Sequence, residues 1–114
     1  MKKLRIAIAT KGRGGLEDAV SNVFARANTF TIVDVEDNEI KNVKVIENPA
    51  SSYLHGVGPI VVKMLVDLKV NLVVAPEFGP GASTLLEHHN IGKVSVKAST
   101  TVCEAIREVL NRVG

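Results

Sequence analysis

The chain has 114 residues, 46% hydrophobic and 23% charged, with a formal net charge of +2. That length fits one domain covering residues 1–114, and the balance is that of a globule, not of a disordered chain. The charges are scattered, with no block of five of one sign, which argues against the clustered basic footprint of a nucleic-acid partner. Aromatic residues make up only 4% and Trp is absent. The core must therefore be Val, Ile, Leu and Ala, and stacking platforms for single-stranded bases are scarce.

Cys103 is the single cysteine, which excludes an intramolecular disulfide and a self-contained multi-cysteine zinc site. The start at Met1-Lys2-Lys3 followed by Ile6-Ala7-Ile8-Ala9 looks superficially like a signal peptide. Its apolar stretch is too short for one, and no run approaches a membrane span, so a cytoplasmic location is expected with no membrane partner.

Leu4 to Thr10 alternates and reads as the first strand. Lys11-Gly12-Arg13-Gly14-Gly15 opens an irregular loop reaching about Asn28. Phe30–Glu36 and Ile40–Glu47 form a hairpin across Asp37-Asn38. Pro59–Leu68 is apolar nearly all round and predicts a helix sandwiched against a sheet, with Pro59 in its first turn. Asn71–Ala75 is a short buried strand. Gly79-Pro80-Gly81 opens a second helix, with His89 on its apolar face and Asn90 as a left-handed cap. Lys93–Lys97 is a fifth strand. Thr101-Val102-Cys103-Glu104 has capping-box spacing, and Val102, Ile106, Val109, Leu110 and Val113 form the buried stripe of a last helix.

This order predicts an α/β fold: a five-stranded mixed sheet of order 3-2-1-4-5, strand two antiparallel, with helices on both faces. Open sheets of this kind bind ligands beyond the carboxyl ends of their strands. The loops at that edge are 11–28, 48–57, 76–80 and 98–101. They carry Lys11, Arg13, Arg26, His55 and Glu77, and glycines at positions 12, 56 and 79. Glycine turns leading into helix N-termini favour a bulky anion, although such glycines also serve simply to make tight loops.

The strand order is that of ribonuclease H, but the carboxylates a two-metal nuclease needs are missing. Asp34 and Glu36 share a strand face that reads as the solvent side of the hairpin. No nucleophile elbow surrounds Ser51 or Ser52, Gly12, Gly14 and Gly15 do not make a dinucleotide fingerprint, and Gly79–Ser83 lacks a P-loop lysine. His88 and His89 point about 100° apart on a helix, His88 to solvent and His89 to packing. Cys103 falls beside the buried stripe and reads as an inert thiol. His55, immediately before a helix at the predicted mouth, is the histidine placed to touch a ligand.

Ile6-Ala7-Ile8-Ala9-Thr10, Val20-Ser21, Phe24, Arg26, Phe30–Val35, Glu47-Asn48-Pro49, His55-Gly56-Val57-Gly58 and Phe78-Gly79-Pro80-Gly81-Ala82 fall in order along the chain. Together they resemble the dinitrogenase iron–molybdenum cofactor-binding family. The resemblance implies a ribonuclease-H-like fold without the nuclease carboxylates. It also implies a non-enzymatic carrier that passes an iron–sulfur or iron–molybdenum-type cluster between assembly and acceptor proteins. The family's Ser-Pro-His-Phe-Gly-Arg segment reads here Ser21-Asn22-Val23-Phe24-Ala25-Arg26, so valine replaces the histidine. With that histidine absent, the expected cofactor contacts are the residues of the mouth loops, Lys11, Gly12, Arg13, Arg26, His55, Gly56 and Gly79, with His55 standing in from a neighbouring loop as the metal ligand. Two other expectations stand beside it. One is a regulatory or interaction module that keeps the fold without the cluster. The other is a small-anion binder or enzyme using Lys11, Arg13, His55 and Glu77.

Overall fold

The computed structural model describes residues 2–113, the side chain of Val113 excepted. In chain order it has β1 (Lys3–Thr10), a 3₁₀ turn (Gly15–Glu17), β2 (Thr29–Glu36), β3 (Glu39–Glu47) and α1 (Val57–Asp67). There follow β4 (Leu72–Ala75), α2 (Pro80–His88), β5 (Gly92–Ser95) and α3 (Val102–Val113). The sheet runs β3-β2-β1-β4-β5, with β2 antiparallel to both neighbours and β4 parallel to β1 and β5, as the sequence predicts. Asp37 and Asn38 take φ of 53° and 68°, the paired left-handed residues of a type I′ hairpin turn.

Alternation along the strands divides the core in two. Ile6, Ile8, Val33, Val35, Val74 and Val94 meet Val102, Ala105, Ile106 and Val109 of α3. Ala7, Ala9, Phe30, Ile32, Val73 and Ala75 face Val57, Val61, Val62 and Leu65 of α1, with Ala82 and Leu86 of α2. Each fully buried aliphatic side chain contributes about 1.5–3 kcal/mol relative to exposure. Such burial, more than intrinsic propensity, holds a helix as short as α2. No helix among the described residues is long and apolar enough to cross a membrane.

Several expectations are corrected. Helix α1 starts at Val57, two residues before Pro59, because Gly56 supplies the turn into it at φ 72°. It is not sandwiched: it lies on the sheet with α2 beside it, and Ile60, Met64 and Val66 remain half-buried. Strand β5 ends at Ser95, although Val96 still donates to the Ala75 carbonyl at 3.1 Å. The segment 11–28 is not a free loop: it holds the 3₁₀ turn and bridges Thr10–Val20 and Ala19–Thr101. Helix α2 ends at His88, which puts His89 outside it and exposed instead of packed. The two imidazoles stand edge to face at 5.2 Å. Cys103 is exposed, one step round the helix from the stripe of Val102, Ala105, Ile106 and Val109. The expected stripe position of Val113 lies outside the described side chains. Asp34 is half-buried, because Arg5 directly across the ladder binds it at 2.7 Å.

Candidate functional site at the carboxyl edge

The parallel strands β1, β4 and β5 end at one edge, and α1, α2 and α3 all begin there. Their N-terminal dipole ends converge on that edge, a general preference for negative charge. Gly56 and Gly79, which precede α1 and α2, both sit at positive φ (72° and 75°), where a side chain would be strained.

The glycine loop after β1 folds around an internal anion. One oxygen of the Asp18 carboxylate accepts the Gly14 N–H at 2.7 Å, the other its neighbour Ala19 N–H at 2.7 Å. A Cβ on Gly12 would stand 3.0 Å from the same carboxylate, so Gly12 makes room for Asp18 before it makes room for a ligand. Beneath the loop, the buried hydroxyls of Thr10, Thr29 and Thr31 form a chain, and Thr29 donates to the Gly12 carbonyl at 2.6 Å. Lys11 reaches across to the Ser99 hydroxyl at 2.7 Å. Ser99 itself holds φ 69°, a left-handed conformation unusual for serine. Arg13 turns aside to Glu47 at 2.7 Å, in a pair exposed on both sides.

Arg26 does not project freely. Its guanidinium donates two parallel bonds, to the carbonyls of Tyr53 (3.0 Å) and Leu54 (2.9 Å). It therefore fixes the backbone immediately before His55, whose imidazole is exposed at the rim. Asn48 staples the same two loops from below. Buried to 4% exposure, it donates to the carbonyls of Ala25 and Ala27 at 2.8 Å each, while its own oxygen accepts the Ala50 N–H at 2.9 Å. The chain's three phenylalanines lie under this region: Phe24 packs edge-on against Phe30 at 5.7 Å and tilted against Phe78 at 5.2 Å.

The structure brings together Arg26, His55 and Gly56 through the loop clamp. Gly79 belongs to a neighbouring depression of about 220 Å³, with Val23, Phe24, Arg26, Glu77 and Phe78. Val23, in the family's histidine position, is 46% exposed there. A second depression of about 520 Å³ continues past Gly79 to Ser83, Lys93 and Ser95. Lys93 bonds both the Ser83 hydroxyl and the Glu87 carboxylate. The Lys93 hydrogen bond, ahead of its charge, holds the Glu87 carboxyl below the usual range. Sequence reasoning missed Asp18, Asn48, Lys93 and Ser99 as organisers of this edge. Asn48-Pro49 was visible as a turn, but nothing local showed that its amide reaches two other carbonyls.

An open α/β sheet with three helix N-termini gathered at its carboxyl edge defines an open-sheet α/β domain, an architecture whose ligand sites generally lie at that edge. The chain belongs to the dinitrogenase iron-molybdenum cofactor family, which it matches over residues 2–112. It is 36% identical over 78 residues to an uncharacterised protein of Methanocaldococcus jannaschii, covering 68% of this chain. That alignment spans 64% of the relative's length, just under two thirds. Among solved structures, the apo form of the orange protein from Desulfovibrio gigas superposes with a TM-score of 0.85 at 26% identity, covering 95% of this chain and 88% of that one. A Thermotoga protein described as a candidate NifB protein does so with a TM-score of 0.77 at 35% identity, again covering 95% and 88%.

Proposed function

We propose that the chain, acting as one domain, is a non-enzymatic carrier that holds an iron–sulfur or iron–molybdenum-type cluster as cargo at the carboxyl edge. The observation that carries this reading is the clamp: Arg26 fixes the carbonyls of Tyr53 and Leu54, and so presents His55 at the edge where three helix N-termini meet. Membership of the dinitrogenase iron-molybdenum cofactor family supports it. Among the described residues no group of three or more His, Cys, Asp or Glu could hold a metal ion. That donor set suits a preassembled cluster better than a bare ion, because a cluster brings its own sulfides. Such a cargo needs one imidazole for a terminal metal and N–H or cationic donors for its anionic surface. His55 would supply the imidazole. Lys11 and Arg13, whose present partners Ser99 and Glu47 are exposed and exchangeable, would supply the rest with the backbone near Gly12, Gly56 and Gly79, while Arg26 would act through the loop it clamps. Partners are then the proteins that donate and accept the cluster.

The test is anaerobic transfer from a cluster-loaded donor protein, read by visible absorbance and by iron and sulfide analysis. The wild-type chain should acquire the cluster, His55→Ala should lose most of it, and Arg26→Ala should lose it in proportion to loop release. Absence of transfer, or transfer indifferent to both changes, overturns the reading. A second reading is favoured by the rim itself, where Val23, Tyr53 and Leu54 are 46%, 52% and 82% exposed. An interaction module that keeps the fold without the cluster would use those apolar side chains, and it predicts a colourless protein after anaerobic purification.

A further inference from the structure

At the opposite edge of the sheet, a cavity of about 440 Å³ lies between the end of α1 and the first residues of β1. That volume falls within the range of small-molecule sites, about 300–1,000 Å³. We propose that it is a second binding site, for a small phosphate-bearing molecule.

The floor is rigid and electrically neutral. Arg5 binds Asp34 at 2.7 Å and also donates to the Leu68 carbonyl at 2.7 Å, which ties the end of α1 to the sheet. Around this floor stand Lys3, Lys41 and Lys69, opposed by the single unpaired carboxylate of Glu36. Among the described residues neither the Lys3 nor the Lys69 ammonium group has a hydrogen-bond or ion-pair partner, and that of Lys41 has only Glu39 at 3.8 Å. A cluster of ammonium groups that carboxylates only partly compensate raises the local concentration of anions at a concave surface.

Two irregularities of the backbone bring lysines to the wall of this cavity. The β2–β3 ladder slips by one residue: Asp34 faces Asn42 but Val35 faces Ile40, which leaves Lys41 as an extra, bulged residue. In a regular strand Lys41 and Asn42 would point to opposite faces, whereas both line the cavity here. Lys69 occupies the left-handed position of the turn that ends α1, at φ 61°. The Lys69 N–H meets the Val66 carbonyl at 2.9 Å and the Val70 N–H meets the Leu65 carbonyl at 3.1 Å, a motif whose left-handed residue is usually glycine. Lysine there carries a conformational cost that glycine would not. Ammonium groups bind phosphate as point charges, the Asn42 amide adds donors, and Glu36 can accept from a hydroxyl beside the phosphate.

The experiment is an amide NMR titration of the full chain with inorganic pyrophosphate and, separately, with ribose 5-phosphate. Saturable shifts should appear in residues 3–5, 34–42 and 68–71 and spare 53–56. Tighter binding of ribose 5-phosphate identifies an ester ligand, and tighter binding of pyrophosphate an inorganic one. Lys41→Ala and Lys69→Gly should each weaken binding by about fivefold, the worth of one solvated charge contact. Lys69→Gly should at the same time raise the melting temperature, so its weaker binding cannot be read as unfolding. Shifts confined to the carboxyl edge, no saturation by either probe, or an unchanged affinity when Lys41→Ala and Lys69→Gly are combined would overturn the proposal. The last result would leave Lys41 as a guard of the edge strand β3.

Discussion

The two edges of this sheet solve opposite problems. At the carboxyl edge most charges are already spoken for: Asp18 fills the glycine loop, Arg13 meets Glu47, Lys11 meets Ser99, and Arg26 holds two carbonyls. What is left facing outward is His55, the exposed side chains of Glu77 and Lys97, and an apolar rim. At the opposite edge one ion pair seals the floor, and the ammonium groups of two lysines remain without partners. The difference teaches that charge counted from sequence says little about which edge attracts an anion. Pairing decides it, and pairing is a property of the folded chain.

Breaking the carboxyl edge from below should have the largest effect. Asn48→Ala removes three hydrogen bonds from a buried amide and strands the carbonyls of Ala25 and Ala27, with an expected loss of about 2–3 kcal/mol. Chemical denaturation measures this, and hydrogen exchange should show residues 23–28 and 49–55 opening together while β3 near Lys41 stays protected. A loss spread evenly over the chain would deny that Asn48 is a staple of this edge. Relieving strain should act in the other direction. Ser99→Gly frees a left-handed residue and should raise stability by up to about 1 kcal/mol, less any entropy glycine adds to the unfolded chain. It also releases Lys11 from its hydroxyl partner, so the affinity of the carboxyl edge for anions should rise with it.

The smallest effect concerns pH. The hydrogen bond from Lys93, then its charge, lowers the folded-state pKa of Glu87. A lowered carboxylate pKa contributes stability that is present above the ordinary carboxylate range and is lost as pH falls through the lowered value. Glu87→Gln should therefore melt slightly earlier than wild type at neutral pH, and the two melting temperatures should converge in acid. A gap that widens in acid would show that another group governs this corner.

The fold was legible because it rests on periodicity. Alternation in residues 4–10 and 30–47, then apolar runs at 59–68 and 71–75, assigns strands and helices, and the connection rules leave one plausible strand order. The left-handed turns at Asp37-Asn38 and Asn90 were legible for the same local reason. Misreadings came where an element's limit or neighbour decides exposure. His89 is exposed because α2 ends one residue sooner than its apolar face suggests, and Cys103 because its stripe is narrow. Helix α1 lies on the sheet with α2 beside it, and its remaining apolar side chains stay half-buried.

By itself, the sequence determined the α/β order, the family resemblance and the edge where glycines, His55 and helix starts would gather, since these depend on local pattern and chain connectivity. Only the tertiary structure decided what those residues do there. The glycine loop closes on Asp18, Arg26 works through the loop that bears His55, and a bulge turns Lys41 toward the other edge. Such contacts join residues 4 to 28 positions apart through one or two hydrogen bonds or a one-residue register shift. Nothing in a local pattern encodes them, because their geometry exists only once the sheet has closed.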